Sequence, residues 1–117
     1  MLGNIGDVEV LVYKKVCDMR KSIQGLSQLV VDDLSMNPTD GRVYVFCNKG
    51  RDKLKILYWD RNGFCVWYKI LEKEKFKMPK VRDSVLSITG VQLRWLLDGL
   101  PINQRSGFKR LKYQIFG

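Results

Sequence analysis

The sequence predicts an α+β domain built on a small, mainly antiparallel sheet. Three observations carry this. Apolar residues at helical spacing run from Met19 to Leu34, two β-rich runs flank the turn-forming "DRNG" at 60–63, and a second helical stripe follows Thr89. A chain of 117 residues, 45% hydrophobic and 11% aromatic, suits one domain with a modest core. Residues 1–104 are expected to form that single unit. Residues 105–117 form a basic C-terminal tail that reads as disordered, as a basic arm or as a late strand.

The elements follow in order. "VEVLVY" at 8–13 is β-rich and reads as the first strand. Met19, Ile23, Leu26, Val30 and Leu34, spaced 4, 3, 4 and 4, line one face of a helix over 19–34. Asp18 is the expected N-cap, because a carboxylate there accepts from unpaired first-turn amides. Pro38 and the Asp40-Gly41 turn end the segment. Strands are expected at 42–48, 53–60 and 64–71, with a short one at 84–88. Thr89 and Gln92 form a capping-box pattern for a helix over 90–99, with Leu93, Leu96, Leu97 and Leu100 on its buried side. Gly99 and Pro101 end it.

The 53–71 hairpin decides which side chains share a face. Asp60 suits the first position of a type I turn, and Gly63 the left-handed position that closes a three-residue loop with a bulge. That loop sets Trp59 opposite Cys65 and Leu57 opposite Trp67. Leu54, Ile56, Tyr58, Val66, Tyr68 and Ile70 then share a core face, while Lys53, Lys55, Lys69, Trp59 and Trp67 share the other. A one-residue shift from an Asn62-Gly63 turn would bring Lys69 beside Leu54 and Ile56, which is costlier where that face stays dry.

Charge narrows the function. The net charge is +9, and it is regional: residues 1–48 carry 5 Lys/Arg against 6 Asp/Glu, residues 49–117 carry 16 against 6. A one-sided positive field points to nucleic acid, an acidic membrane surface or an acidic protein. Lys49, Arg51, Lys53 and Lys55 alternate, and alternate residues of one strand project from the same face about 6.6 to 6.8 Å apart, close to the step between phosphates. Trp59, Trp67 and Lys69 extend that face with surfaces on which bases stack. The competing reading has the lysines guarding an exposed sheet and the tryptophans in the core. Arg20 and Lys21, in the expected first turn of the helix, oppose its dipole, a conflict an anion would relieve.

Catalytic classes find little support. Asp18, Asp40, Asp52, Asp60 and Glu72 each fit a cap, a turn, an ion pair or a strand end, and no nucleophile motif or glycine-rich phosphate loop occurs. No catalytic residue, cofactor or metal site is expected; the chain has no His. Cys17, Cys47 and Cys65 are odd in number and far apart, and read as reduced thiols. With no apolar run of membrane-spanning length and no signal-peptide pattern, the expectation is a cytoplasmic protein without membrane contact.

"DMRKSIQGL" at 18–26, "GRVYVFCNKGRDKLKILYWDRNGFCVWYKILE" at 41–72, "KFKMP" and "LSITGVQLRWLLDGL" at 86–100 together resemble the TnpB, or Orf-two, accessory proteins of bacterial insertion sequences of family sixty-six. Asp18 to Lys21, Gly25 and Leu26 match the first motif. Arg51 to Lys53, Lys55, Tyr58 to Asp60, Gly63 and Trp67 to Lys69 match the central one. Gly50, Ile70, Met78 and Gly90 depart from it, standing where arginine, a basic residue, tryptophan and proline are common. The resemblance implies a transposon setting, in which a larger transposase performs strand chemistry and the partners are that transposase and another small protein of the element. The two readings left are a non-catalytic factor binding transposon DNA or the transposase–DNA complex, and an interaction module that assembles the transposase without touching DNA.

Overall fold

A computed structural model describes residues 7–102. The elements are β1 (Val10–Tyr13), α1 (Ile23–Leu34), β2 (Val43–Cys47), β3 (Lys53–Asp60), β4 (Gly63–Ile70), β5 (Val85–Ile88) and α2 (Gly90–Leu97). They form the α+β fold expected, on a five-stranded sheet of order β4-β3-β2-β1-β5. Every neighbouring pair is antiparallel except β1 and β2, which run parallel because α1 lies in the crossover between them. The tail at 105–117 lies outside the described residues.

Strand position follows from composition. "VLVY" and "VYVFC" are apolar at every residue, which suits only central strands covered on both faces, and all nine residues are buried. On one face Leu11, Tyr13, Tyr44, Phe46 and Leu57 pack with Leu26 and Val30 of α1. On the other, Val10, Val12, Val43, Val45, Leu54 and Ile56 pack with Leu93 and Leu96 of α2 and with Phe76 from the connector.

Both helix starts obey local chemistry, one of them at a different residue from that expected. The Thr89–Gln92 capping box is formed, and Gly99 (φ 79°) ends α2 while the Leu100 N–H donates to the Trp95 carbonyl at 2.9 Å. Leu100 itself is exposed rather than part of the buried stripe. In α1 the N-cap is Ser22, whose hydroxyl accepts from Gly25 N–H, and not Asp18. Asp18 instead closes a tight turn ahead of the helix: its carbonyl accepts from Lys21 N–H at 3.1 Å and its carboxylate from Arg20 N–H at 2.9 Å. Met19 therefore precedes α1, though it packs against the same cluster.

The hairpin register also differs from expectation. Asp60 pairs with Gly63 across a two-residue loop, so Trp59 faces Phe64 and Tyr58 faces Cys65. Arg61 takes a positive φ of 58°, and the Asn62 N–H turns back to the Asp60 carbonyl at 2.5 Å, which closes the chain sooner than a bulged loop. The shift moves Phe64 and Val66 beneath α1 with Leu57. Trp67 and Lys69 pass to the α2 side, away from Trp59, Lys53 and Lys55. Lys69 does not bury its charge there. β4 is an edge strand, and the Lys69 ammonium reaches the Leu97 carbonyl at the C-terminal end of α2, at 2.8 Å, where a cation is favoured.

The three thiols are free, with Cys17 and Cys47 buried and Cys65 half-buried. Burial raises the Cys17 pKa and pushes Cys47 up to about 11. At pH 8 a thiol reagent should modify only Cys65 quickly in the native protein and all three thiols after denaturation. Rapid uptake of more than one equivalent by the folded chain would contradict the packing described.

Candidate nucleic-acid interface

Strand direction sorts the charges. Segments 14–22, 48–52 and 71–84 all emerge at the end of the sheet where β1 and β2 finish, and between them hold eleven Lys/Arg against five Asp/Glu. The opposite end carries Glu9, Asp40 and Asp60 against Arg42 and Arg61. Arg42 there is held by Glu9 (2.7 Å) and Asp40.

The basic end is braced by backbone. The Cys17 N–H donates to the Cys47 carbonyl at 3.0 Å, joining segment 14–22 to the end of β2, and Lys14 N–H donates to the Ser84 carbonyl at 2.8 Å. The Asn48 side chain organises the β2–β3 loop, accepting from Asp52 and Lys53 N–H and donating to the Asp52 carboxylate at 2.7 Å. Arg51 sits at φ 60° in that loop, fixed by Phe76 N–H on its carbonyl at 2.7 Å.

Between these segments lies a cleft of about 540 Å³ lined by Lys14, Lys15, Arg51, Lys80 and Arg82, with Asp83 as the one acid in its wall. A smaller hollow of about 250 Å³ adjoins it, shares Lys14, Lys15 and Arg51, and adds Lys49. Among the described residues no carboxylate lies within ion-pair distance of Lys49, Arg51, Lys80 or Arg82. The half-buried Lys14 donates to the Pro79 carbonyl, and its pKa is lowered first by burial and then by the charge of Arg51. Of the five cations, Lys15 alone lies within ion-pair distance of a carboxylate among the described residues, that of Asp33 at 3.9 Å, and a phosphate bound here would relieve the repulsion among the others.

The nine residues singled out from sequence do not form one face. Lys49 and Arg51 lie in the loop, so the alternating row is broken after its first two members and only Lys53 and Lys55 project from β3. Lys53 reaches Asp52 at 3.4 Å. Lys55 donates to the Lys21 carbonyl at 3.1 Å and lies 4.9 Å from the Tyr68 ring centre, which joins the exposed Lys21 to the hairpin. Arg20 is paired with Asp18 at 2.7 Å, which holds that carboxyl at about 2 and satisfies the guanidinium without an outside anion. Because both residues precede the cap, the expected dipole conflict does not arise within the first turn. Trp59 is half-buried, edge-on to Phe64 at 5.0 Å, whereas Trp67 is exposed on the other side of the sheet. Lys69 is tied to α2.

Sequence reasoning missed Lys14, Lys15, Lys80 and Arg82. "KK" after the first strand was the only visible signal, and it acquires meaning only when β1 and β2 pair in parallel. Among the described residues no cluster of three or more potential metal ligands occurs, and no helix is long and apolar enough to cross a membrane.

Fold and charge define a small basic α+β domain with a cation-lined cleft at one end of its sheet. A family model described as IS66 Orf2 like protein matches residues 8–107, and the chain belongs to that family. Two uncharacterized proteins of Sinorhizobium fredii (strain NBRC 101917 / NGR234) are similar to it: y4jC is 33% identical over 100 residues, 86% of each chain, and y4hO is 31% identical over 86% of this chain and 87% of its own. No solved structure matches. The family ties the chain to an accessory role in the transposition of insertion-sequence elements.

Proposed function

We propose that this protein is a non-catalytic transposition factor that binds DNA, alone or within the transposase–DNA complex, through the basic end of its sheet. The observation that carries the reading is the cleft, where Lys14, Lys15, Arg51, Lys80 and Arg82 converge with one acid among them. Ammonium and guanidinium groups that neutralise phosphates release the condensed counterions, which favours binding. Three of the five acids weighed from the sequence, Asp18, Asp40 and Asp52, are engaged with neighbouring side chains, which supports a non-catalytic role.

Titration of the full chain against duplexes carrying the element's terminal sequence, and against scrambled duplexes, tests this across a salt series. Contact with about four phosphates gives a slope of roughly −3.6 in log affinity against log salt. Absent or salt-insensitive binding would sink the proposal. A second reading, assembly on the transposase through aromatic anchors, draws on the exposed Trp67. Retention of the transposase in a pulldown after nuclease treatment would favour it.

A further inference from the structure

The two edges of the sheet are unlike. β5 is four residues long, and the hydroxyl of its Ser87 donates to the Glu9 carboxylate at 3.0 Å. β4 runs eight residues, about 27 Å of extended chain, and has no neighbour on its outer side among the described residues. Exposed strands are commonly guarded by proline, by bulges or by outward-pointing lysines. β4 has no proline, it pairs with β3 without a bulge, and its one lysine is drawn inward to the Leu97 carbonyl. On the other face Lys55, opposite Tyr68, is folded over that ring onto the Lys21 carbonyl, and Lys53, opposite Ile70, reaches the Asp52 carboxylate at 3.4 Å. What the strand leaves exposed on its two faces is apolar: Trp67 on the α2 side, and Tyr68 and Ile70 on the α1 side, are 36%, 44% and 50% exposed.

We infer that β4 is a self-association edge, and that its occupant is β4 of a second copy paired antiparallel about a two-fold axis, joining two sheets into one of ten strands. An unpaired row of N–H and C=O groups selects an extended chain segment, and an identical strand supplies one of equal length with the same unguarded backbone. Charge fixes the direction. Parallel pairing would set the two basic ends side by side, whereas antiparallel pairing sets each beside the partner's Asp60–Gly63 turn, which carries one acid and one base. Residues directly opposite in an antiparallel pair project from the same face, so the axis passes through Val66 or Trp67, and either choice covers Trp67 and Tyr68. If the DNA reading also holds, the dimer presents its two basic ends in opposite directions and engages two duplexes. Dimerisation itself does not depend on that reading.

Sedimentation equilibrium of the full chain without DNA is the test. A reversible monomer–dimer equilibrium is expected, with hydrogen exchange of the outer β4 amides slowing as concentration rises. Trp67→Lys with Tyr68→Lys should weaken the dimer by about 30-fold or more while leaving the cooperative thermal transition in place. A chain monomeric at every concentration, a dimer unmoved by the two lysines, or β4 protection independent of concentration would each overturn the inference. The exchange experiment needs no variant, so it decides even where the double substitution unfolds the domain.

Discussion

Arg51→Gln combined with Arg82→Gln weakens duplex binding by about 60-fold at about 0.1 M monovalent salt and flattens the salt slope by roughly 1.8, the loss of two phosphate contacts. The two guanidiniums reach the cleft from different segments, the β2–β3 loop and the connector before β5, and neither has a carboxylate partner among the described residues. Removing their charge therefore leaves no acid orphaned, and the fold is retained. Gln at position 51 carries the same backbone cost at φ 60° as Arg, so the comparison isolates charge. Arg61→Gln, in the turn at the opposite end, is the control and leaves affinity unchanged. Fluorescence anisotropy across a salt series checks all three. Equal losses from the cleft pair and from Arg61 would mean diffuse attraction by net charge rather than a site.

Phe46→Ala destabilises the domain by about 3 to 5 kcal/mol. Phe46 lies in the centre of the sheet on the face beneath α1, fully buried, with the Tyr13 ring 5.7 Å away. Its flanking strands hydrogen-bond along their length and cannot collapse into the space, so a cavity adds to the lost transfer energy. Domains of this size are stable by only about 5 to 15 kcal/mol, so a large share of the total is removed. Urea denaturation followed by circular dichroism measures this as a lower midpoint with little change in slope. A loss below about 1 kcal/mol would contradict central burial of that ring.

Much of the fold was legible because the relevant signals are local. Apolar runs gave the strands within a few residues, Thr89 and Gln92 announced the start of α2, and the 3.6-residue stripe gave α1. Asp18 misled as a cap because two hydrogen-bond acceptors, Asp18 and Ser22, lie one turn apart, and tertiary packing of Ile23 and Leu26 decided which one starts the helix. The hairpin misled for a similar reason. "DRNG" suits loops that differ by one residue, and each assigns every side chain of β4 to the opposite face. Burial of Phe64 and Val66 against α1 favours the tighter loop, and the Leu97 carbonyl removes the penalty for Lys69.

The candidate site was half legible. Lys49 and Arg51 were visible in the basic run, but their partners Lys14, Lys15, Lys80 and Arg82 are about thirty residues away on either side, in segments with no shared pattern. By itself the sequence determined the class of fold, the two helices and five strands, the regional excess of positive charge and the membership of a transposon-encoded family, because these rest on composition and short-range periodicity. Only the tertiary structure decided where that charge acts. Parallel pairing of β1 with β2 sends the chain back to the same end of the sheet, and the register of one tight turn separates Trp59 from Trp67. Both are long-range choices set by which apolar faces bury together.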